Sequence, residues 1–141
     1  QGIYLEKLSY QFANWNRSQA ENKMLQLIHQ YGDGIELVLC NNDEMAMGAV
    51  DAYEDEGYSL EERPAFFGID GLDGTLEAVK NDIIQGTVFN DRQGQAEQIA
   101  RLATDLFKGN ALSGYDFVNE RYIFLPYQKV TISNVDTFMN R

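Results

Sequence analysis

Short apolar runs alternate with longer segments of helical spacing along most of this chain. The runs cover residues 35–40, 65–69 and 87–89, and each is followed by a segment whose apolar residues recur every three or four positions. Strands that alternate with helices in this way predict a parallel sheet with right-handed crossovers. The sequence therefore predicts an α/β fold in which helices flank a parallel sheet.

Capping and breaking residues set the expected boundaries of the elements. A strand is expected over residues 2–9, and Asn16 or Ser18 is expected to begin the helix that follows it. Asp43 is expected to cap the helix after the second strand, because its carboxylate can accept a hydrogen bond from the first helical turn. The remaining expectations are a helix over 93–108, an extended segment over 115–125 and a short terminal helix from Ser133 or Asn134.

The charge balance of the chain is strongly acidic. Asp and Glu number 22 against 11 Lys and Arg, which gives a formal net charge of -11. Such a field repels phosphate backbones and anionic lipid surfaces, so it disfavours nucleic acid as a partner. A neutral ligand or a basic protein surface fits this charge better.

Polar side chains follow three successive strands of the predicted sheet. Asn42, Asp70 and Asn90 come after the second, third and fourth strands, whose carboxyl ends meet at one edge of a parallel sheet. Carboxamides both donate and accept hydrogen bonds, and a carboxylate accepts from two neighbouring hydroxyls of a sugar. Trp15 adds a flat apolar face on which a sugar ring can stack. These four residues predict a carbohydrate site.

Other interpretations of the same residues remain open. Asn and Asp after strands are common helix caps and turn residues, which need no ligand. The run 70–76, Asp-Gly-Leu-Asp-Gly-Thr-Leu, is close to the signature of haloacid-dehalogenase-like phosphatases, but Gly71 stands where their nucleophilic carboxylate must be. Asp43 and Asp70 could form a glycosidase pair, although the sequence does not fix their separation. We expect no catalytic residue and no enzymatic activity.

Three sequence blocks resemble one known family. IELVLCNNDEMAMGAV, FFGIDG and GTVFND, in this order and spacing, are similar to the C-terminal half of periplasmic galactose/glucose-binding proteins, and the resemblance covers nearly the whole chain. It implies a carrier that binds a hexose, galactose or glucose, and delivers it to an ABC permease, in some bacteria also presenting it to a chemoreceptor. Its sugar-binding residues fall on Trp15, Asn42, Asp70 and Asn90. It also implies a periplasmic location, or an extracellular, lipid-anchored one in a Gram-positive bacterium.

The same resemblance assigns the chain to lobes of a type I periplasmic binding protein. Residues 1–90 and 127–141 would form an incomplete C-terminal lobe of three layers, in which a sheet lies between two layers of helices. The helix and strand of residues 91–126 would belong to an otherwise missing N-terminal lobe. We therefore expect a fragment that binds sugar weakly or not at all alone. The helix over 93–108 should expose its apolar face, and such a face drives self-association.

Two further implications concern calcium and an alternative function. The family's calcium loop closes with a glutamate that matches Glu36, but the loop itself is absent from this sequence. A lone carboxylate cannot supply the six to eight oxygens that calcium takes, so we expect no metal or cofactor on this chain alone, with calcium possible in the full-length protein. The alternative is the effector-binding core of a LacI-type transcription regulator, which shares the fold.

Overall fold

A computed structural model of the chain describes residue 2 and residues 4–139. The chain divides into two compact units, Gln1–Phe89 with Lys129–Arg141, and Asn90–Gln128. Within the described part of the chain, no helix has both the length and the apolar character needed to cross a membrane. The helices and strands, in chain order, are α1 (Arg17–Tyr31), β1 (Leu37–Leu39), α2 (Asp43–Asp55), β2 (Ala65–Phe67), α3 (Asp73–Lys80), β3 (Thr87–Phe89), α4 (Arg92–Lys108) and β4 (Gln128–Val130).

The strands follow one another across the larger unit. β1 and β2 pair in parallel along their whole length, and β3 neighbours β4. Isolated parallel bridges from Phe67 to Gly86 and from Asp70 to Phe89 connect the β2 and β3 regions. The predicted fold class, an α/β lobe with a parallel sheet and flanking helices, is confirmed.

The core of the larger unit consists of apolar side chains from the helices and the strands. Arg17 ties α1 to α2 through a bidentate ion pair with Asp51. The two helices also approach closely at Gly48, where a Cβ would lie 2.1 Å from the Arg17 carbonyl oxygen. The largest apolar side chains that are completely buried are Tyr53, Phe66, Leu76, Ile84, Val50, Val79, Val130 and Val135.

The smaller unit is built around α4, whose apolar side chains are exposed apart from the half-buried Leu102. Asp91 caps the helix by accepting from the Gly94 N–H (2.9 Å), and Gly109 ends it with a left-handed φ of 67°. None of the described residues of α4 is buried, and Phe107 retains 92% of its surface. The predicted exposure of this helix face is confirmed.

The predicted N-terminal strand is wrong over the residues that the structure describes. Residues 4–9 form no strand, while Ile3 lies outside the described residues. The apolar side chains of this segment are exposed, with Tyr4 at 88% and Leu5 at 70%. A strand requires a neighbouring strand with which to exchange backbone hydrogen bonds, whereas the contact found here is from the Tyr31 hydroxyl to the Leu8 carbonyl (3.0 Å).

The C-terminal part of the chain also differs from expectation. The extended segment predicted over 115–125, where the strand of residues 91–126 was expected, contains only an isolated antiparallel bridge between Val118 and Tyr122. β4 was not expected, because only Val130 of its three residues is both apolar and buried, which is too short a pattern to recognise. The expected terminal helix is a single 3₁₀ turn, Val135–Thr137, which follows Asn134.

Candidate functional site

The four residues of the predicted sugar site are divided between the two units. Trp15, Asn42 and Asp70 belong to the larger unit, and Asn90 begins the smaller one. Within its own unit, the Asn90 carboxamide oxygen accepts a hydrogen bond from the Gln95 side-chain amide. Three of the predicted residues, Trp15, Asn42 and Asp70, therefore lie in one unit, and Asn90 lies in the other.

Asn42 occupies the N-cap of α2. Its Oδ1 accepts from the Met45 N–H (3.0 Å), and its Nδ2 lies 3.5 Å from the Trp15 carbonyl oxygen. The prediction that Asp43 caps this helix is wrong, because Asp43 is the first helical residue and its side chain turns inwards. A carboxamide nitrogen carries two N–H donors, so Asn42 can cap the helix through oxygen and still offer an N–H to a ligand.

Trp15 lies on the turn that leads into α1. Asn14 and Trp15 both adopt left-handed backbone conformations, with φ of 50° and 59°, and Asn16 then caps α1 by accepting from the Gln19 N–H (2.9 Å). This turn leaves 64% of Trp15 exposed. The indole face is therefore accessible for stacking on a ring.

Asp70 has the most unusual backbone of the predicted site. Its φ is 131°, a backbone conformation that residues with a Cβ rarely adopt. Such a conformation costs about 1–3 kcal/mol. Its N–H donates to the Val88 carbonyl (2.9 Å). Burial raises the pKa of the Asp70 carboxyl, the negative charge of Asp43 raises it further, and a hydrogen bond from the Asp43 backbone partly opposes both effects. Strain of this kind is concentrated at functional sites.

Asp43, which we expected to cap α2, is instead a buried carboxylate at the centre of the strand ends. Its Oδ1 accepts from the Thr87 hydroxyl (2.6 Å) and its Oδ2 accepts from the Leu72 N–H (2.8 Å). Asp43 has 0% exposure, so it is inaccessible to a substrate and a poor member of a glycosidase pair with Asp70. A polar Thr87 in an otherwise apolar strand was the sequence signal that could have indicated this role.

A separate apolar groove of about 380 Å³ crosses the strands of the larger unit. Neither Asn42 nor Asp70 lines it, so it is distinct from the predicted sugar residues. Cys40 does line it, and burial together with the Asp43 charge raises the pKa of this thiol to about 11. The thiol is therefore protonated and unreactive at neutral pH. The groove is lined by residues 39–41, 67–69, 86–88 and 129–131.

Glu36 lies in no cluster of metal ligands among the residues that the structure describes. Its side chain is exposed just before β1, and the described residues contain no group of three or more His, Cys, Asp and Glu side chains that could hold a metal ion. Calcium takes six to eight oxygen ligands. The residues present thus do not fit the calcium site that the resemblance implies.

Comparison with known proteins places the chain in a family. Residues 2–111 match the family described as a periplasmic binding protein domain. The chain belongs to this family. The match covers more than half of the chain and extends over Trp15, Asn42, Asp70 and Asn90. Together with the relatives described next, it confirms the resemblance to periplasmic sugar-binding proteins.

Individual relatives of this periplasmic binding protein chain are named for different ligands. It is 33% identical over 137 residues to a putative rhizopine-binding protein of Rhizobium meliloti, covering 97% of this chain and 41% of the relative. It is 30% identical over 141 residues to a D-galactose/methyl-galactoside binding periplasmic protein of Haemophilus influenzae, covering 98% of this chain and 41% of the relative. The chain thus spans about two fifths of the length of these relatives.

A solved structure shares this fold. The solute-binding protein of an ABC transporter from Bacillus halodurans, with bound myo-inositol, is 31% identical and aligns with a TM-score of 0.76. The alignment covers 90% of this chain and 40% of that protein. The structure described here is therefore a partial lobe of the type I periplasmic binding protein fold.

Proposed function

We propose that this chain contributes one face of the sugar site of a solute-binding protein that serves an ABC transporter. The observation that carries the proposal is the position of Asn42 and of the strained Asp70 after β1 and β2, which are parallel neighbours. The Trp15 carbonyl oxygen lies 3.5 Å from the Asn42 Nδ2. Ligands of open α/β sheets bind in the crevice outside these strand ends. The relatives are named for rhizopine and for D-galactose or methyl-galactoside, and the solved structure holds myo-inositol. Galactose and inositol are both rings that carry several hydroxyl groups.

Each residue has a role that matches its chemistry. Trp15 stacks on the apolar face of the ring, and Asn42 donates its remaining amide N–H to a hydroxyl. Asp70 accepts from two neighbouring hydroxyls, for which its carboxylate must be ionised. We infer a neutral hexose of the galactose or glucose type as the ligand, since a charged sugar acid would be repelled by Asp70 and by the net charge of -11.

The remaining parts of the proposal concern the whole protein. We infer that residues 1–90 and 127–141 belong to the C-terminal lobe and that residues 91–126 belong to the other lobe of a two-lobed carrier. Such a carrier acts outside the cytoplasmic membrane, in the periplasm, delivers its sugar to an ABC permease and has no enzymatic activity. Presentation to a chemoreceptor would be a further use of the same loaded state.

Affinity of the chain alone is expected to be low. One face of a site provides only part of the contacts, and binding must still offset the lost translational and rotational freedom of the sugar. We therefore expect dissociation constants on the order of millimolar for D-galactose or myo-inositol. Micromolar binding by this chain would contradict the idea that it supplies half of the contacts.

Variants of Asn42 separate sugar binding from helix capping. Asn42→Ser retains a good cap, whereas Asn42→Ala removes it and is expected to destabilise the chain by about 1 kcal/mol. Both variants lose the amide donor, so both should lose the chemical-shift changes that D-galactose or myo-inositol induces in the amide spectrum of the wild type. Binding by Asn42→Ser that equals wild-type binding would show that Asn42 is only a cap.

A further inference from the structure

The loop between β2 and α3 is held at both ends by one residue. The Asp43 backbone N–H donates to the Ile69 carbonyl (2.8 Å), and the Asp43 Oδ2 accepts from the Leu72 N–H (2.8 Å). Asp70 and Gly71 lie between these two contacts. Their φ values, 131° and 72°, are both in the region that residues with a Cβ rarely adopt. Asp43 therefore closes a short loop around the strained residue.

The Asp43 carboxylate is itself fixed in place. Its second oxygen accepts from the Thr87 hydroxyl at 2.6 Å, and Asp43 and Thr87 have exposures of 0% and 3%. A Cβ on Gly68 would lie 2.2 Å from the Asp43 Oδ1, so a glycine there leaves the space that the carboxylate occupies. A buried carboxylate opposes folding unless its hydrogen bonds are made. Both oxygens thus have one favourable arrangement, in which they bind Leu72 and Thr87.

We propose that Asp43 is a positioning residue for sugar binding, which holds the loop so that the Asp70 carboxylate faces the ligand, and that Thr87 holds Asp43. A strained conformation persists only when its surroundings over-determine it. Without the two contacts of Asp43, the loop relaxes to an ordinary φ and redirects the Asp70 side chain. This proposal rests on the proposed role of Asp70 as a sugar ligand.

A matched pair of substitutions at Thr87 tests the proposal in the whole chain. Thr87→Val keeps the shape of the side chain and removes the hydroxyl donor, whereas Thr87→Ser keeps the donor and removes a methyl group. We expect Thr87→Val to accelerate hydrogen exchange of the Leu72 amide and to weaken binding of D-galactose or myo-inositol, each about tenfold. Thr87→Ser should resemble the wild type in both measurements.

If Thr87 served only packing, Thr87→Ser would have the larger effect on exchange and binding, because it leaves a cavity and Thr87→Val does not. That result, or wild-type exchange and binding in Thr87→Val, overturns the proposal. Asp43→Ala is the second variant, since it removes both oxygens that accept from the Leu72 N–H and the Thr87 hydroxyl; wild-type Leu72 exchange in Asp43→Ala also overturns it.

The same experiment distinguishes this proposal from the proposed function. If neither sugar shifts the Asn42 or Asp70 signals of the wild type, the proposed function fails, and with it the link from Asp43 to sugar binding. Slower Leu72 exchange in the wild type than in Thr87→Val would then still support Asp43 as the residue that holds the loop. Equal exchange rates would refute that part as well.

Discussion

Replacement of Asp70 by glycine is expected to yield a more stable chain than replacement by alanine. Both substitutions remove the same carboxylate, so they differ in the Cβ that the φ of 131° strains. Relief of such strain contributes about 1–3 kcal/mol, while the extra freedom of glycine in the unfolded chain costs about 0.4–1 kcal/mol. From the middle of each range, the glycine variant should be more stable by roughly 1 kcal/mol.

Urea denaturation of the two Asp70 variants measures this difference. With a common slope of about 1–3 kcal/mol per molar urea, the midpoint of Asp70→Gly should lie about 0.3–1 M above that of Asp70→Ala. The control is the same pair of substitutions at Glu77, which is exposed on α3. At this ordinary helical position, Glu77→Ala should be more stable than Glu77→Gly by about 1 kcal/mol. If alanine were also the more stable at Asp70, the backbone there would not be strained and the reasoning would be refuted.

Three more predictions concern packing, association and pH. Gly48→Ala is expected to destabilise the chain by about 1–3 kcal/mol, because the new Cβ would lie 2.1 Å from the Arg17 carbonyl oxygen. Gly74→Ala on α3 is the control: its Cβ would meet nothing within 4 Å, so it should stabilise the chain in the same urea assay. Self-association through α4 should give a mass above that of the monomer in light scattering, and Phe107→Lys should lower it; a monomeric wild type at high concentration would contradict this. The pKa of Asp70 is raised on folding, so its contribution to stability is present below the ordinary pKa and is lost as pH rises through the raised value. The stability of the wild type relative to Asp70→Asn should therefore fall between acidic and neutral pH, and a difference that does not change with pH would contradict the shift.

The parallel sheet and its helices could be predicted because their signals are local. The apolar spacing of α1 and α2 and the continuous apolar runs that contain β1 and β2 lie within short windows of the sequence. Glycine after α4 and asparagine before α1 mark boundaries through backbone and side-chain geometry that depends on few neighbours. Local signals of this kind were enough to indicate the fold class.

The roles of Asn42 and Asp43 could not be assigned from the sequence, because both residues are good helix caps. The choice between them depends on Thr87 and Leu72, which are distant in sequence and meet Asp43 only in the folded chain. The N-terminal segment illustrates the same limit. Its aliphatic and aromatic residues are typical of a strand, but a strand forms only where another strand pairs with it.

We propose that Trp15, Asn42 and Asp70 form one face of a sugar site. The fluorescence of Trp15 is the most direct test of this proposal. Trp15 is the single tryptophan of the chain, and with 64% of its surface exposed its emission reports stacking of a sugar on its indole. We predict a saturable change on titration with D-galactose or myo-inositol that Asp70→Ala abolishes. An emission spectrum that does not respond to either sugar, or that responds equally in Asp70→Ala, would contradict the claim.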